Sequence, residues 1–126
     1  MEESANKNLS ISVVTTCYNS EYIIDEFVAQ VSGVVKDLTN DYEIILVDDG
    51  SPDKSWLKIQ EACLKKPFVK GVKLSRNFGQ QIAMSAGIES ASKDVIIIMD
   101  GDLQNPPEAI KSIVDRISNG IDLVYT

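Results

Sequence analysis

The run Val95-Ile96-Ile97-Ile98-Met99 constrains the fold more than any other stretch of the chain. Consecutive apolar, mostly β-branched residues read as a strand buried on both faces, because a half-exposed strand alternates apolar with polar positions. The run stops abruptly in Asp100-Gly101-Asp102, and Asn105-Pro106-Pro107-Glu108 then has the makings of a helix start. Asn105 supplies the cap, Pro106 the first helical position and Glu108 a capping-box-like partner. Ligands of open α/β sheets sit at such strand ends.

Two carboxylates one residue apart repel unless a positive charge lies between them, and closely spaced oxygen donors suit a hard divalent cation. Gln104 adds a neutral oxygen nearby. By itself, Asp100-Gly101-Asp102 reads equally well as a turn, since Asp and Gly are common turn residues. Its place at the tip of a buried strand favours a ligand site, because a turn there needs no second acid.

The rest of the chain repeats the alternation of strand and helix. Leu9 to Thr16 predicts a first strand, with Asn19 or Ser20 placed to cap the following helix. Ile24, Phe27, Val28, Val31, Val35 and Leu38 recur at three- and four-residue steps, which makes one buried helical stripe. Tyr42 to Val47 is a second apolar strand ending in Asp48-Asp49-Gly50-Ser51-Pro52-Asp53, where Ser51 and Pro52 fit the cap and first position of another helix. Trp56, Ile59 and Cys63 keep helical spacing up to Lys65-Lys66-Pro67. Phe68 to Ser75 is a weaker third strand running into Arg76-Asn77-Phe78-Gly79-Gln80, followed by a helix whose Ala83, Ala86, Gly87 and Ala91 allow close approach to a sheet. After the acidic tip, Ile110, Ile113, Val114 and Ile117 share a helix face that ends at Asn119-Gly120, and Ile121 to Tyr125 begins a fifth strand.

Four successive βα units imply a mostly parallel sheet with helices on both faces. All strand ends then lie along one edge, which brings Thr16 to Tyr18, Asp48 with Asp49, Arg76, and Asp100 with Asp102 toward one crevice. Standing alone, Asp48-Asp49-Gly50 reads more simply as a βα turn whose acids complement a helix dipole. Convergence of several such ends carries more weight than any one of them.

Composition narrows the chemistry. The 126 residues make one domain, and 44% hydrophobic content is ordinary for a globular chain. A net charge of −7, from 19 acidic against 12 basic residues, without a basic run, argues against nucleic-acid binding. Cys17 and Cys63 are too few for a disulfide framework, which points to a reducing compartment and to core thiols. With no histidine in the chain, triad and imidazole-metal chemistry drop out, leaving carboxylates and a hard cation. Residues 1–8 are polar and expected to be disordered, leaving 9–126 as the folded part; no apolar run approaches the roughly 20 residues that span a bilayer. The last strand is barely finished at Thr126, which reads as the N-terminal part of a longer domain.

Four motifs in order, Val13-Val14-Thr15-Thr16-Cys17-Tyr18-Asn19, Ile45-Leu46-Val47-Asp48-Asp49-Gly50-Ser51-Pro52-Asp53, Ser75-Arg76-Asn77-Phe78-Gly79-Gln80 and Met99-Asp100-Gly101-Asp102-Leu103-Gln104-Asn105-Pro106-Pro107-Glu108, resemble the inverting family 2 glycosyltransferases of GT-A fold. Within that family the chain is most similar to bacterial polyprenyl-phosphate glycosyltransferases of the dolichyl-phosphate mannose synthase group. The resemblance implies a Rossmann-like nucleotide-sugar-binding domain that works at the cytoplasmic face of the membrane. Thr16 and Tyr18 would lie against the nucleobase, and Asp49, with Asp48 beside it, would accept the imide N–H of uracil. Arg76 would approach the diphosphate, and Asp100, Asp102 and Gln104 would hold Mg²⁺ or Mn²⁺. The family usually has Pro at Thr16 and an acid at Ser20, so Glu21 would take the acid's place. The donor would be a UDP-sugar and the acceptor polyprenyl phosphate, whose ionised phosphate needs no strong base; the catalytic residues are unknown, and assembly into a homo-oligomer stays open. Two other readings remain at this stage: a phosphorelay receiver domain, also α/β with acids and Mg²⁺ at strand ends, and a nucleotide-binding module without transferase activity.

Overall fold

The structure, a computed structural model, describes residues 9–100, 110, 112 and 123–125. Five strands and three full helices alternate along it: β1 (Ser10–Cys17), α1 (Ile24–Val35), β2 (Asp41–Asp48), α2 (Ser55–Lys65), β3 (Val69–Lys73), α3 (Gln80–Ser90), β4 (Val95–Asp100) and β5 (Leu123–Tyr125). All pair in parallel, in the order β3-β2-β1-β4-β5. The chain steps outward from β1 to β3, then returns to the other side of β1 for β4. That reversal puts a switch point between β1 and β4, where open α/β sheets form their ligand crevice. The order also overturns the receiver-domain alternative, whose doubly wound sheet runs 2-1-3-4-5.

The two faces of the sheet bury separate cores because successive side chains point to opposite sides. Ile11, Val13 and Cys17 of β1 and Ile44 and Leu46 of β2 pack with Ile24, Phe27, Val28, Val31 and Val35 of α1 and with Ile59 and Ala62 of α2. Val14, Ile45, Val47 and Ile98 meet α3 through Ala83 on the other face. The expected α1 stripe is therefore the buried one, except that Leu38 lies past the helix end and is half-buried. Gly87 lets α3 settle on the sheet: a Cβ there would stand 2.5 Å from Val14 Cγ1 and 2.9 Å from Val47 Cγ2. The small residues expected to allow close approach do so at this point.

Two details depart from the sequence expectations. Asn19, Ser20 and Ser51 do not cap helices; α1 and α2 start later, after Ile23 and Lys54, and neither receives a side-chain cap from that position. Cys63 is half-buried rather than a core thiol, and lies beside Trp56, Gln60, Leu64 and Gly71 in an open groove of about 380 Å³ between α2 and the edge strand β3. Cys17 is the core thiol, and burial, then the nearby charges of Asp48 and Asp53, push it up to about 12. Ile110 is helical and buried and Ser112 helical and exposed, whereas the segment 1–8, the helix start at Asn105 and the Asn119-Gly120 cap lie outside the described residues. Among the described residues, no helix is long and apolar enough to cross a membrane.

Candidate nucleotide site

Parallel register lines up the strand ends across three neighbours. Cys17 pairs with Asp48 and Thr16 pairs with Val47 on one side, while Thr16 pairs with Asp100 on the other. The Asp49 N–H extends the ladder by donating to the Cys17 carbonyl at 2.9 Å. Thr16, Asp48, Asp49 and Asp100 thus occupy one edge at the switch point, Thr16 half-buried and Asp48 and Asp49 buried. Tyr18 follows at the rim, 48% exposed, which leaves its ring available to a flat ligand.

Loops on this edge carry backbone donors that no strand or helix satisfies, and the carboxylates take them up. Asp48 Oδ1 accepts the Ser51 N–H at 3.1 Å. Asp53 Oδ1 accepts the Ser55 N–H at 2.9 Å, while its Oδ2 accepts the Glu21 N–H at 3.3 Å. Burial raises the Asp53 carboxyl, but the Ser55 and Glu21 donors outweigh it and hold it below its ordinary value. Glu21 reciprocates, its Oε1 accepting the Lys54 N–H at 3.0 Å. The hydroxyls of Ser51 and Ser55 accept the N–H groups of Asn19 and Ser20 at 3.1 and 2.8 Å, and Asn19 takes the left-handed conformation at φ 54°. The β1–α1 and β2–α2 loops are thereby stitched together over five hydrogen bonds.

The loop between β3 and α3 joins them through Asp49. Asp49 Oδ1 accepts the Phe78 N–H at 2.9 Å, and Asn77 Nδ2 donates to Asp49 Oδ2 at 3.2 Å and to the Asp49 carbonyl at 3.1 Å. The Arg76 guanidinium lies 4.2 Å from the centre of the Phe78 ring, a stacked cation–π contact. Among the described residues Arg76 has no ion pair.

Placement of the expected site residues follows. Thr16, Asp48, Asp49 and the backbone of Asp100 share the edge directly; Tyr18 and Arg76 stand on loops fastened to it; Glu21 is tied into the α2 start. Asp102 and Gln104 lie outside the described residues. Among the described residues no three His, Cys, Asp or Glu side chains cluster closely enough to hold a metal. The donor chemistry at the edge, carboxylate oxygen without imidazole, nevertheless suits a hard divalent cation. Sequence reasoning assigned no site role to Asn77, Phe78, Gly50 or Ser55 and read Ser51 only as a helix cap, whereas these residues hold the loops together; Asn77-Phe78-Gly79 between a strand and a helix was the signal for the first two.

Residues 12–126 match the profile described as Glycosyl transferase family 2. The chain is 44% identical over 118 residues to an undecaprenyl-phosphate 4-deoxy-4-formamido-L-arabinose transferase of Pseudomonas fluorescens, covering 92% of this chain and 34% of that protein. It is 37% identical over 115 residues to a dolichol-phosphate mannosyltransferase of Pyrococcus furiosus, covering 91% of this chain and 32% of that one. The chain thus spans about a third of the length of these relatives. In fold it is similar to glucosyl-3-phosphoglycerate synthase of Mycobacterium tuberculosis, solved in complex with Mn²⁺ and uridine-diphosphate-glucose: the TM-score is 0.71 at 21% identity, covering 94% of this chain and 42% of that one. The Rossmann-like parallel sheet is that of the GT-A glycosyltransferases, and with its ordered strand-end motifs the chain belongs to glycosyl transferase family 2.

Proposed function

We propose that this chain is the donor-binding part of a metal-dependent inverting glycosyltransferase that moves a sugar from a UDP-sugar to polyprenyl phosphate at the cytoplasmic face of a membrane. The observation that carries the reading is the meeting of Thr16, Asp48, Asp49 and Asp100 at the β1–β4 switch point, with the loop that carries Arg76 fastened to Asp49. In this reading Thr16, Tyr18, Glu21, Asp48 and Asp49 form the nucleoside side, Tyr18 offering its exposed ring to the base. Arg76 meets the diphosphate. Asp100, Asp102 and Gln104 would hold Mg²⁺ or Mn²⁺, which when bound neutralises the diphosphate and stabilises it as the leaving group. An acidic crevice admits an anionic donor only with such compensation. The lipid-phosphate acceptor is supported by the names of the relatives, which act on undecaprenyl and dolichol phosphates.

Calorimetric titration of the chain with UDP and with GDP, each with and without Mn²⁺, tests the donor site. Expected is Mn²⁺-dependent binding of UDP, weaker binding of GDP, and loss of metal dependence in Asp102→Ala. Absence of nucleotide binding under every condition refutes the proposal for this chain; preference for GDP refutes the choice of base.

A further inference from the structure

We infer that Asp49 is a positioning residue: through Asn77 and Phe78 it fixes the loop that carries Arg76, and so presets where the guanidinium meets the donor diphosphate. This deepens the donor-site reading and rests on it. Four observations carry it.

Asp49 is 4% exposed, and each of its carboxylate oxygens already accepts a hydrogen from the β3–α3 loop, Oδ1 from the Phe78 N–H and Oδ2 from Asn77 Nδ2. Its carbonyl accepts from the same Asn77 amide, so one side chain spans both acceptors of one residue. Next to it, Gly50 at φ 70° presses on the same loop: a Cβ there would lie 2.3 Å from Arg76 C and from Asn77 N. Finally, the residue whose backbone N–H Asp49 holds, Phe78, carries the ring on which the Arg76 guanidinium stacks.

The contacts form one line, Asp49 to Phe78 to Arg76. A free arginine loses rotamer entropy when a ligand immobilises it, and a side chain already stacked loses less. Asp49 acts on the donor through that line, in addition to any hydrogen its oxygens accept from the base. A residue acting only on the base would be indifferent to Asn77, whose amide holds the carboxylate and the carbonyl of Asp49.

The test is a double-mutant cycle on UDP affinity with Mn²⁺ present, using Asn77→Ala, Arg76→Ala and both together, beside amide hydrogen exchange without nucleotide. Expected are weaker binding by about tenfold in each single variant and no further loss in the double, since Asn77 works through Arg76. In Asp49→Ala, exchange at the Phe78 amide rises about tenfold or more while Val14 and Ile45 amides keep their protection, which separates a loosened loop from an unfolding chain. Losses that multiply in the double variant, or an unchanged Phe78 amide, overturn the positioning role while leaving the donor site standing. Failure of the unsubstituted chain to bind UDP overturns both.

Discussion

Replacing Glu43 with glutamine removes one negative charge from the far end of the sheet without changing its shape. Glu43 is 2% exposed on β2, where its Oε2 accepts the Ser12 hydroxyl at 2.6 Å and the Ser92 N–H at 2.7 Å. The Ser92 hydroxyl donates to the carboxylate at 3.1 Å, and the Lys70 ammonium stands 2.6 Å from Oε1. Burial by itself raises the carboxyl, but the Lys70, Ser12 and Ser92 donors overcome it and bring it down from 4.5 to about 2. At about 1.4 kcal/mol per unit, that difference is about 3 kcal/mol of stability at neutral pH. The Lys70 side chain is 50% exposed, so solvent screens its share and about 2 kcal/mol is the firmer figure. A depressed carboxyl stabilises the fold above its unfolded value and ceases to do so as pH falls through its folded value. Urea unfolding should therefore find Glu43→Gln less stable by about 2 to 3 kcal/mol at pH 7, or roughly 10 °C in melting temperature. The deficit should shrink below pH 5, to less than half by pH 3, and close near pH 2. An equal deficit at pH 7 and pH 3 would refute the reasoning, since a packing defect has no such pH dependence.

Gly87→Ala reverses the usual gain of alanine in a helix. Its Cβ would overlap Val14 and Val47, so we expect a loss of about 1 to 3 kcal/mol in urea unfolding, partly recovered by adding Val14→Ala; a stabilised single variant would refute the close approach of α3. Cys17, buried with its thiol pushed up to about 12, should resist alkylation at pH 8 in the folded chain while half-buried Cys63 reacts, both becoming reactive in urea; equal folded-state rates by mass spectrometry would contradict the burial.

The strands were legible because apolar runs such as Ile44 to Val47 and Val95 to Met99 are too continuous for any half-exposed element. Element starts were less so. Ser51 and Ser55 carry the chemistry of local caps, but their hydroxyls serve Asn19 and Ser20, more than thirty residues away. A side chain that can cap its own helix will instead satisfy a distant backbone donor when tertiary packing brings one near, and no local pattern records that choice. Strand β3, at the sheet edge with Lys70, Gly71 and Lys73 exposed, ended at Lys73 rather than Ser75 because its polar positions give the sequence no sharp boundary.

The same distinction explains what the acids at the site do. The positions of Asp48 and Asp100 could be read, since the apolar runs of β2 and β4 halt at them; the partners could not, since Asp49 and Phe78 are 29 residues apart. In the fold, Asp49, Asp53 and Glu21 each accept a backbone N–H from a neighbouring loop, and Asp48 accepts one from its own. A parallel sheet forces its loops over one edge with unsatisfied donors, and carboxylates are the strongest acceptors available to them. The acidic rim is thus first a device for holding three loops against one another. Negative charge already engaged by oriented N–H dipoles repels an incoming diphosphate less than free carboxylates would, so an acidic chain and an anionic ligand are compatible. Arg76, stacked on Phe78 and without an ion pair among the described residues, is the cation that this scaffold places on the loop held by Asp49.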